Sequence, residues 1–259
     1  MALLILVFAL FGPFVGSFLN VCIDRMPRGQ SIIKPRSHCA ACNHKLGNLD
    51  LIPIFSYLWL RGRCRYCRAH IPLRLPIVEG VTGLLFGFLY WKFGLSLELV
   101  MSLIYACLLV IIFVIDLENQ LVLDKVVYPG MVLALGFSFL WPGLGVVSWL
   151  GGGALSRVLS ALAGGTLGFV AMALPYILTH RRGMGLGDVK LGGLVGLMTG
   201  YPLVLIAWLL SVITGGVVGA ILLAFKIRKR KDPIPFAPFL VTSAMVTLLW
   251  GQVIYQWYL

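Results

Sequence analysis

The sequence predicts an all-α polytopic membrane protein, with about eight transmembrane helices and one small polar domain between the first and the second. Three observations carry this reading. Sixty per cent of the 259 residues are hydrophobic and the mean hydropathy is +0.97. Only 12% are charged, well below the ~25% of soluble domains. Apolar runs occupy 2–22, 77–91, 95–115, 121–142, 146–179, 191–225 and 236–259, and a helix needs about 20 apolar residues to cross the ~30 Å of hydrocarbon.

Each run has its own punctuation. Residues 2–22 lead directly into a polar stretch with no small-residue cleavage site, so they read as a retained helix rather than a secretory signal. The stretch 77–115 breaks at Lys92-Phe-Gly94, and the segment 146–179 is expected to begin near the glycines at 151–153. Residues 191–225 are too long for one span, and Gly200-Tyr201-Pro202 is the natural break. The domain reading that follows is 1–22 as the first transmembrane helix, 23–76 as the polar domain and 77–259 as the remaining membrane domain.

Eight spans sort the charges. With the break at 200–202, all of the 21 Lys and Arg except Lys92 and Arg157 fall on one face. The positive-inside rule makes that face cytoplasmic and puts both chain ends outside. The net charge of +12 is therefore mainly a topology signal, and a basic face also adheres to anionic lipid. It argues for no nucleic-acid partner.

The polar domain holds Cys39-Ala-Ala-Cys42 and Cys64-Arg-Tyr-Cys67, four of the six cysteines. Two C-x-x-C turns at this separation form a zinc signature, because each turn offers two thiolates and two turns complete a tetrahedron. Asn43 and Gly62 suit the turns. Disulfides or redox thiols are the alternatives, and a reducing cytoplasm disfavours them. Four cysteines leave no open coordination position, so the expected metal is structural. His38, His44 and His70 are read as surface histidines, and Cys22 and Cys107 as packed thiols.

Two acidic groups lie at the membrane boundary. Gly183-Met-Gly185-Leu-Gly187-Asp188 opens one apolar run, and Asp116, Glu118 and Asp124 lie between two others. Intramembrane carboxylates are costly and mark ion paths, proton relays or catalysis. Asp116 and Glu118 read as solvated residues of a turn. Asp124, flanked by Leu121-Val-Leu123 and Val126-Val127, reads as the residue entering the next span. Two carboxylates that meet share a proton, so one acts as base on water while its partner polarises a scissile carbonyl. Gly183, Gly185 and Gly187 are expected to permit positive φ and the close approach of a substrate strand. Helix packing is the other reading of the same glycines.

Several motifs, in order, resemble the type IV prepilin leader peptidases. They are Gly16-Ser-Phe-Leu-Asn-Val21 with Arg25-Met-Pro27, Arg36-Ser-His-Cys-Ala-Ala-Cys42, Leu51-Ile-Pro53, Arg61-Gly-Arg-Cys-Arg-Tyr-Cys67, Arg74-Leu-Pro76, Val78-Glu79, and Gly185-Leu-Gly-Asp188 with Lys190. The resemblance covers nearly the whole chain. It implies a bacterial inner-membrane enzyme that cuts the basic leader from type IV prepilins or pseudopilins at the cytoplasmic face. It further implies methylation of the new N-terminus with S-adenosylmethionine. By motif the catalytic pair falls on Asp124 and Asp188, with Gly183, Gly185 and Gly187 as backbone support and zinc on Cys39, Cys42, Cys64 and Cys67. Leu123 stands where the family has proline before its first aspartate, which keeps Asp116 as a rival. Glu79 is a candidate for cofactor or amine contact, or a partner of Arg74. A peptidase without methylation, or a non-enzymatic zinc-containing membrane adaptor of a secretion system, are the remaining alternatives.

Overall fold

The computed structural model describes residues 1–140, 153–178, 185–226 and 235–258. Among them there is no strand, only isolated bridges at His38–Lys45 and Arg63–His70. The helices are α1 Ala2–Arg25, α2 Phe55–Trp59, α3 Arg74–Phe93, α4 Leu97–Asn119, α5 Asp124–Leu140, α6 Ala154–Leu178, α7 Leu186–Thr199, α8 Leu203–Ala224 and α9 Ala237–Tyr258. By length and composition α1, α4, α6, α8 and α9 can cross a membrane. Their outer faces carry exposed Leu3, Leu10, Phe14, Leu174, Ile213 and Val253, side chains that water would reject and lipid accepts. The chain is a multi-pass membrane protein.

The expected breaks are present. Gly94 ends α3 with φ 60°, and Gly200 ends α7 with φ 69°. Left-handed backbone of this kind is open to glycine at little cost. Ser160 fixes the second break by donating its hydroxyl to the Tyr201 carbonyl (2.8 Å) while its own carbonyl accepts the Tyr201 N–H (3.0 Å). α6 begins just after Gly153. The cluster 227–231, Arg181 and Arg182 lie outside the described residues.

The chain divides into two compact units, Met1–Ile111 and Ile112–Leu259. In the first, α1 and α3 run antiparallel along a glycine seam. A Cβ at Gly12 would fall 2.6 Å from the Gly83 Cα, and one at Gly16 would fall 2.8 Å from the Glu79 Cα. Further along, the Asn20 amide donates to the Leu75 carbonyl (3.1 Å) and Arg74 pairs with Asp24 (2.7 Å). In the second unit α6 and α7 meet along another seam, Gly164 against Gly196 and Gly168 against Gly192. Small residues let backbones approach where lipid offers no hydrophobic drive to associate. α7 has 14 residues, so it is only about 21 Å long at 1.5 Å per residue. It is buried from Val189 to Thr199 except for Lys190, a short central helix against which α5, α6, α8 and α9 pack.

Candidate active site and metal centre

Asp188 lies in the first turn of α7. Its Oδ2 accepts the Gly185 N–H at 3.3 Å, and its own N–H reaches the Gly185 carbonyl at 3.2 Å. The carboxylate thus satisfies one of the amide donors that every helix start leaves open. The positive φ expected at the glycines is not found at Gly185 or Gly187. Gly185 is extended at φ −80°, and Gly187 is already helical. What Gly187 permits is the close approach of the chain's own backbone: a Cβ there would lie 2.8 Å from the Val122 Cβ. That contact holds the α4–α5 loop against the start of α7. Gly183 lies outside the described residues.

Of the two aspartates of the α4–α5 region, Asp124 stands where the sequence put it, at the start of the next span, and Asp116 does not. Asp116 is not a solvated turn residue: α4 runs on to Asn119, and Asp116 is 4% exposed. Its carboxylate accepts the Ala237 N–H, its Oδ2 has no hydrogen-bond partner among the described residues, and it feels the charge of Asp188. Asp124, the first residue of α5, is instead half-exposed and held by Lys190, whose Nζ lies 2.7 and 2.9 Å from its two oxygens. The same ammonium sits 5.3 Å from the Tyr128 ring centroid. Asp116 is thus a buried carboxylate on which the charge of Asp188 acts, and Asp124 straps α5 to α7 through Lys190. A sequence signal existed. Tyr105, Leu109, Ile112 and Asp116 share one helix face, and the first three are each buried to 1–2% exposure.

The four cysteines converge. Cys39, Cys42, Cys64 and Cys67 Sγ atoms all lie within 4.8 Å of one another, with Cys39 and Cys67 at 3.8 Å. A tetrahedron with Zn–S bonds of about 2.3 Å has edges of ~3.8 Å, so the donor set fits zinc. The two turns are built alike. Asn43 and Arg68 take φ of 54° and 60°. Their N–H groups return to the Cys39 and Cys64 carbonyls at 2.9 and 3.0 Å, and the N–H groups of those cysteines bond the His44 and Ala69 carbonyls at 3.0 and 2.8 Å. The N–H groups of Cys42 and then Ala41 lower the Cys39 thiol to about 6. Cys67 is raised to about 11; the Ala69 N–H pulls it down, and crowding by the other thiols outweighs this. Four neighbouring thiols do not all ionise together without a cation, which is the service a divalent metal performs. His38, His44 and His70 are exposed and outside the ligand set, and His44 lies against Tyr66 with ring centroids 3.7 Å apart.

Glu79 is bonded from the start of α2 and from α1: its Oε2 accepts the Ile54 N–H at 2.7 Å, and the Ser17 hydroxyl also bonds it. Arg74 pairs with Asp24, as described above. Ile54 itself has φ 60° and ψ −51°, a costly conformation for a β-branched residue. Asn20 Oδ1, one turn along the same seam, is buried with no partner among the described residues.

Residues 10–93 match the bacterial peptidase A24 N-terminal domain, and residues 103–220 match the type IV leader peptidase family. The chain belongs to the type IV leader peptidase family. Three relatives in it are named prepilin leader peptidase/N-methyltransferase. That of Aeromonas hydrophila is 34% identical over 278 residues, covering 96% of this chain and 92% of its own. That of Stutzerimonas stutzeri is 33% identical over 275 residues (96% and 91%), and that of Bacillus subtilis 31% over 250 residues (96% of each). No solved structure matches the chain. The family's two matched regions separate at 93–103, where α3 gives way to α4, and the four cysteines lie in the first region and Asp116, Asp124 and Asp188 in the second.

Proposed function

We propose that this protein removes the leader peptide from type IV prepilins or pseudopilins and then methylates the new N-terminus with S-adenosylmethionine. Asp116 and Asp188 form the catalytic pair. One carboxyl, protonated, polarises the scissile carbonyl while the other draws a proton from the attacking water. The observation that carries this is the buried Asp116 carboxylate, with an unpartnered oxygen and the charge of Asp188 acting on it. Burying such a group with unfilled hydrogen-bonding capacity is costly, and a substrate or water would fill it. Gly187 serves by docking the α4–α5 loop, and Gly185 by presenting its N–H to Asp188. Gly183 keeps the supporting role suggested by the motif.

Eight helices, α1 and α3 to α9 with the short α7 at their centre, cross the bacterial inner membrane, with the Cys domain and the aspartates at the cytoplasmic face and both described ends outside. A prepilin leader is basic and its following segment is an apolar helix. A dyad at the inner boundary meets their junction without moving either half out of its preferred solvent. Zinc on Cys39, Cys42, Cys64 and Cys67 holds the two turns together, and the methyl donor is bound by the N-terminal region. Glu79 contributes there through Ile54 rather than by touching the donor.

The test is incubation of the protein in vesicles with a prepilin and S-adenosylmethionine, with mass analysis of both products. Asp116→Asn and Asp188→Asn are expected to abolish cleavage in folded, inserted protein, and Asp124→Asn to retain it. Cleavage surviving in Asp116→Asn but lost in Asp124→Asn would return the role to Asp124. Cleaved but unmethylated wild-type product would leave a peptidase alone, and no cleavage at all would favour an adaptor.

A further inference from the structure

α2 is five residues long, and its Phe55, Leu58 and Trp59 share one face, being three and four residues apart. All three are exposed, at 57%, 67% and 72%, and Phe55 and Trp59 stack with centroids 5.9 Å apart. The opposite side is engaged with the domain, where Tyr57 covers Gly62. A small polar domain does not ordinarily display such a face to water.

The hydrogen bond to Glu79 gives this face a depth. α3 enters the membrane from Arg74, whose pairing with Asp24 marks the polar boundary at the adjoining ends of α1 and α3. Glu79 lies five residues further in, about 7.5 Å along the axis at 1.5 Å per residue. Because Ile54 is bonded to Glu79 at 2.7 Å, the start of α2 is held at that level, beneath the charged pair. Interfacial helices bury their apolar face about 5–10 Å into the headgroup and acyl boundary. Trp and Phe are at home in that zone, and exposed Arg61 and Arg63, just past the helix, suit lipid phosphates. The two acids of 23–76, Asp24 and Asp50, are already paired with Arg74 and Arg65, so they offer little repulsion to an anionic surface.

We propose that α2 is an interfacial anchor: Phe55, Leu58 and Trp59 insert into the leaflet beside α1 and α3, and the Cys domain lies against the bilayer rather than free in solution. The occupant of the face is lipid. This inference needs the chain to be in a membrane but is independent of either catalytic activity.

The experiment replaces Phe55, Trp59 and, as a control on the second cysteine turn, Tyr66, one at a time, with a benzophenone amino acid. The full chain is placed in vesicles of phosphatidylethanolamine and phosphatidylglycerol, irradiated with and without a prepilin, and analysed by mass. Lipid adducts at 55 and 59, absent at 66, are expected in both arms. Absence of lipid adducts at 55 and 59, or their replacement by prepilin adducts, would overturn the anchor. Bromine-labelled acyl chains give a second reading on nearly native protein. Wild type should lose fluorescence to them that Trp59→Phe does not, and equal quenching of the two would also count against insertion.

Discussion

The carboxylate of Glu79 takes the N–H of a residue whose backbone is itself strained, and this makes a sharp test at single-residue scale. Glu79→Ala leaves the part-buried Ile54 N–H without its acceptor, at a cost toward the lower end of the ~1–3 kcal/mol of a fully buried group. Faster hydrogen exchange at Ile54 is expected, with Glu79→Gln, which keeps a carbonyl oxygen in place, falling between the variant and wild type. Asp124 and Lys190 behave differently, since Asp124 is 54% exposed. Lys190→Met should change the unfolding midpoint little, as exposed pairs are worth about 0–1 kcal/mol. A loss of stability of the size seen for Glu79→Ala would show that the pair matters more than its exposure suggests. The contrast with Asp116 was partly legible: the helical period from Tyr105 places it on the buried face. That Asp124 would find Lys190, 66 residues away, was not, because the partner arrives only when α7 docks against α5.

At the scale of elements, stability rests on two glycine seams. The spacing Gly-x-x-x-Gly occurs seven times, at 12/16, 83/87, 164/168, 183/187, 192/196, 196/200 and 215/219, and the pairs 12/16, 83/87, 164/168 and 192/196 each supply one side of a seam. A side chain added at Gly196 would meet the Gly164 carbonyl and carbon, backbone that cannot swing away. Gly196→Val should therefore destabilise by more than the ~1–3 kcal/mol of ordinary overpacking, read as loss of folded protein in detergent. Gly136, in the interior of α5, faces open space. Gly136→Ala should leave the yield of folded protein unchanged or raised, since Ala is favoured over Gly in helices by about 0.5–1 kcal/mol. Helix breaks at Gly94 and Gly200 follow from residue type. Which glycine pair faces which does not, since seven similar spacings admit several pairings and only packing selects among them.

For the molecule as a whole, the proposed zinc and the helix seam are expected to divide the work of holding the N-terminal region together. Zinc content should be one atom per chain, and the double substitution Cys39→Ser with Cys64→Ser should remove it, as elemental analysis would show. The helices flanking the domain should remain inserted, because their seam and the Asp24–Arg74 pair do not depend on the cysteines. Loss of membrane insertion in that variant would mean that the metal organises α1 and α3 as well. Composition, apolar run length and charge bias determined by themselves that the chain is helical and lies in a membrane, and two C-x-x-C pairs picked out the four thiols that converge. These are properties of local periodicity and of residue chemistry at short spacing. Tertiary structure alone decided that Asp116 is buried where the charge of Asp188 reaches it, that Asp124 meets Lys190, and that Glu79 grips Ile54 at the start of α2. Those outcomes depend on which helix faces which, and residues far apart in the chain become neighbours only through packing that no local pattern specifies.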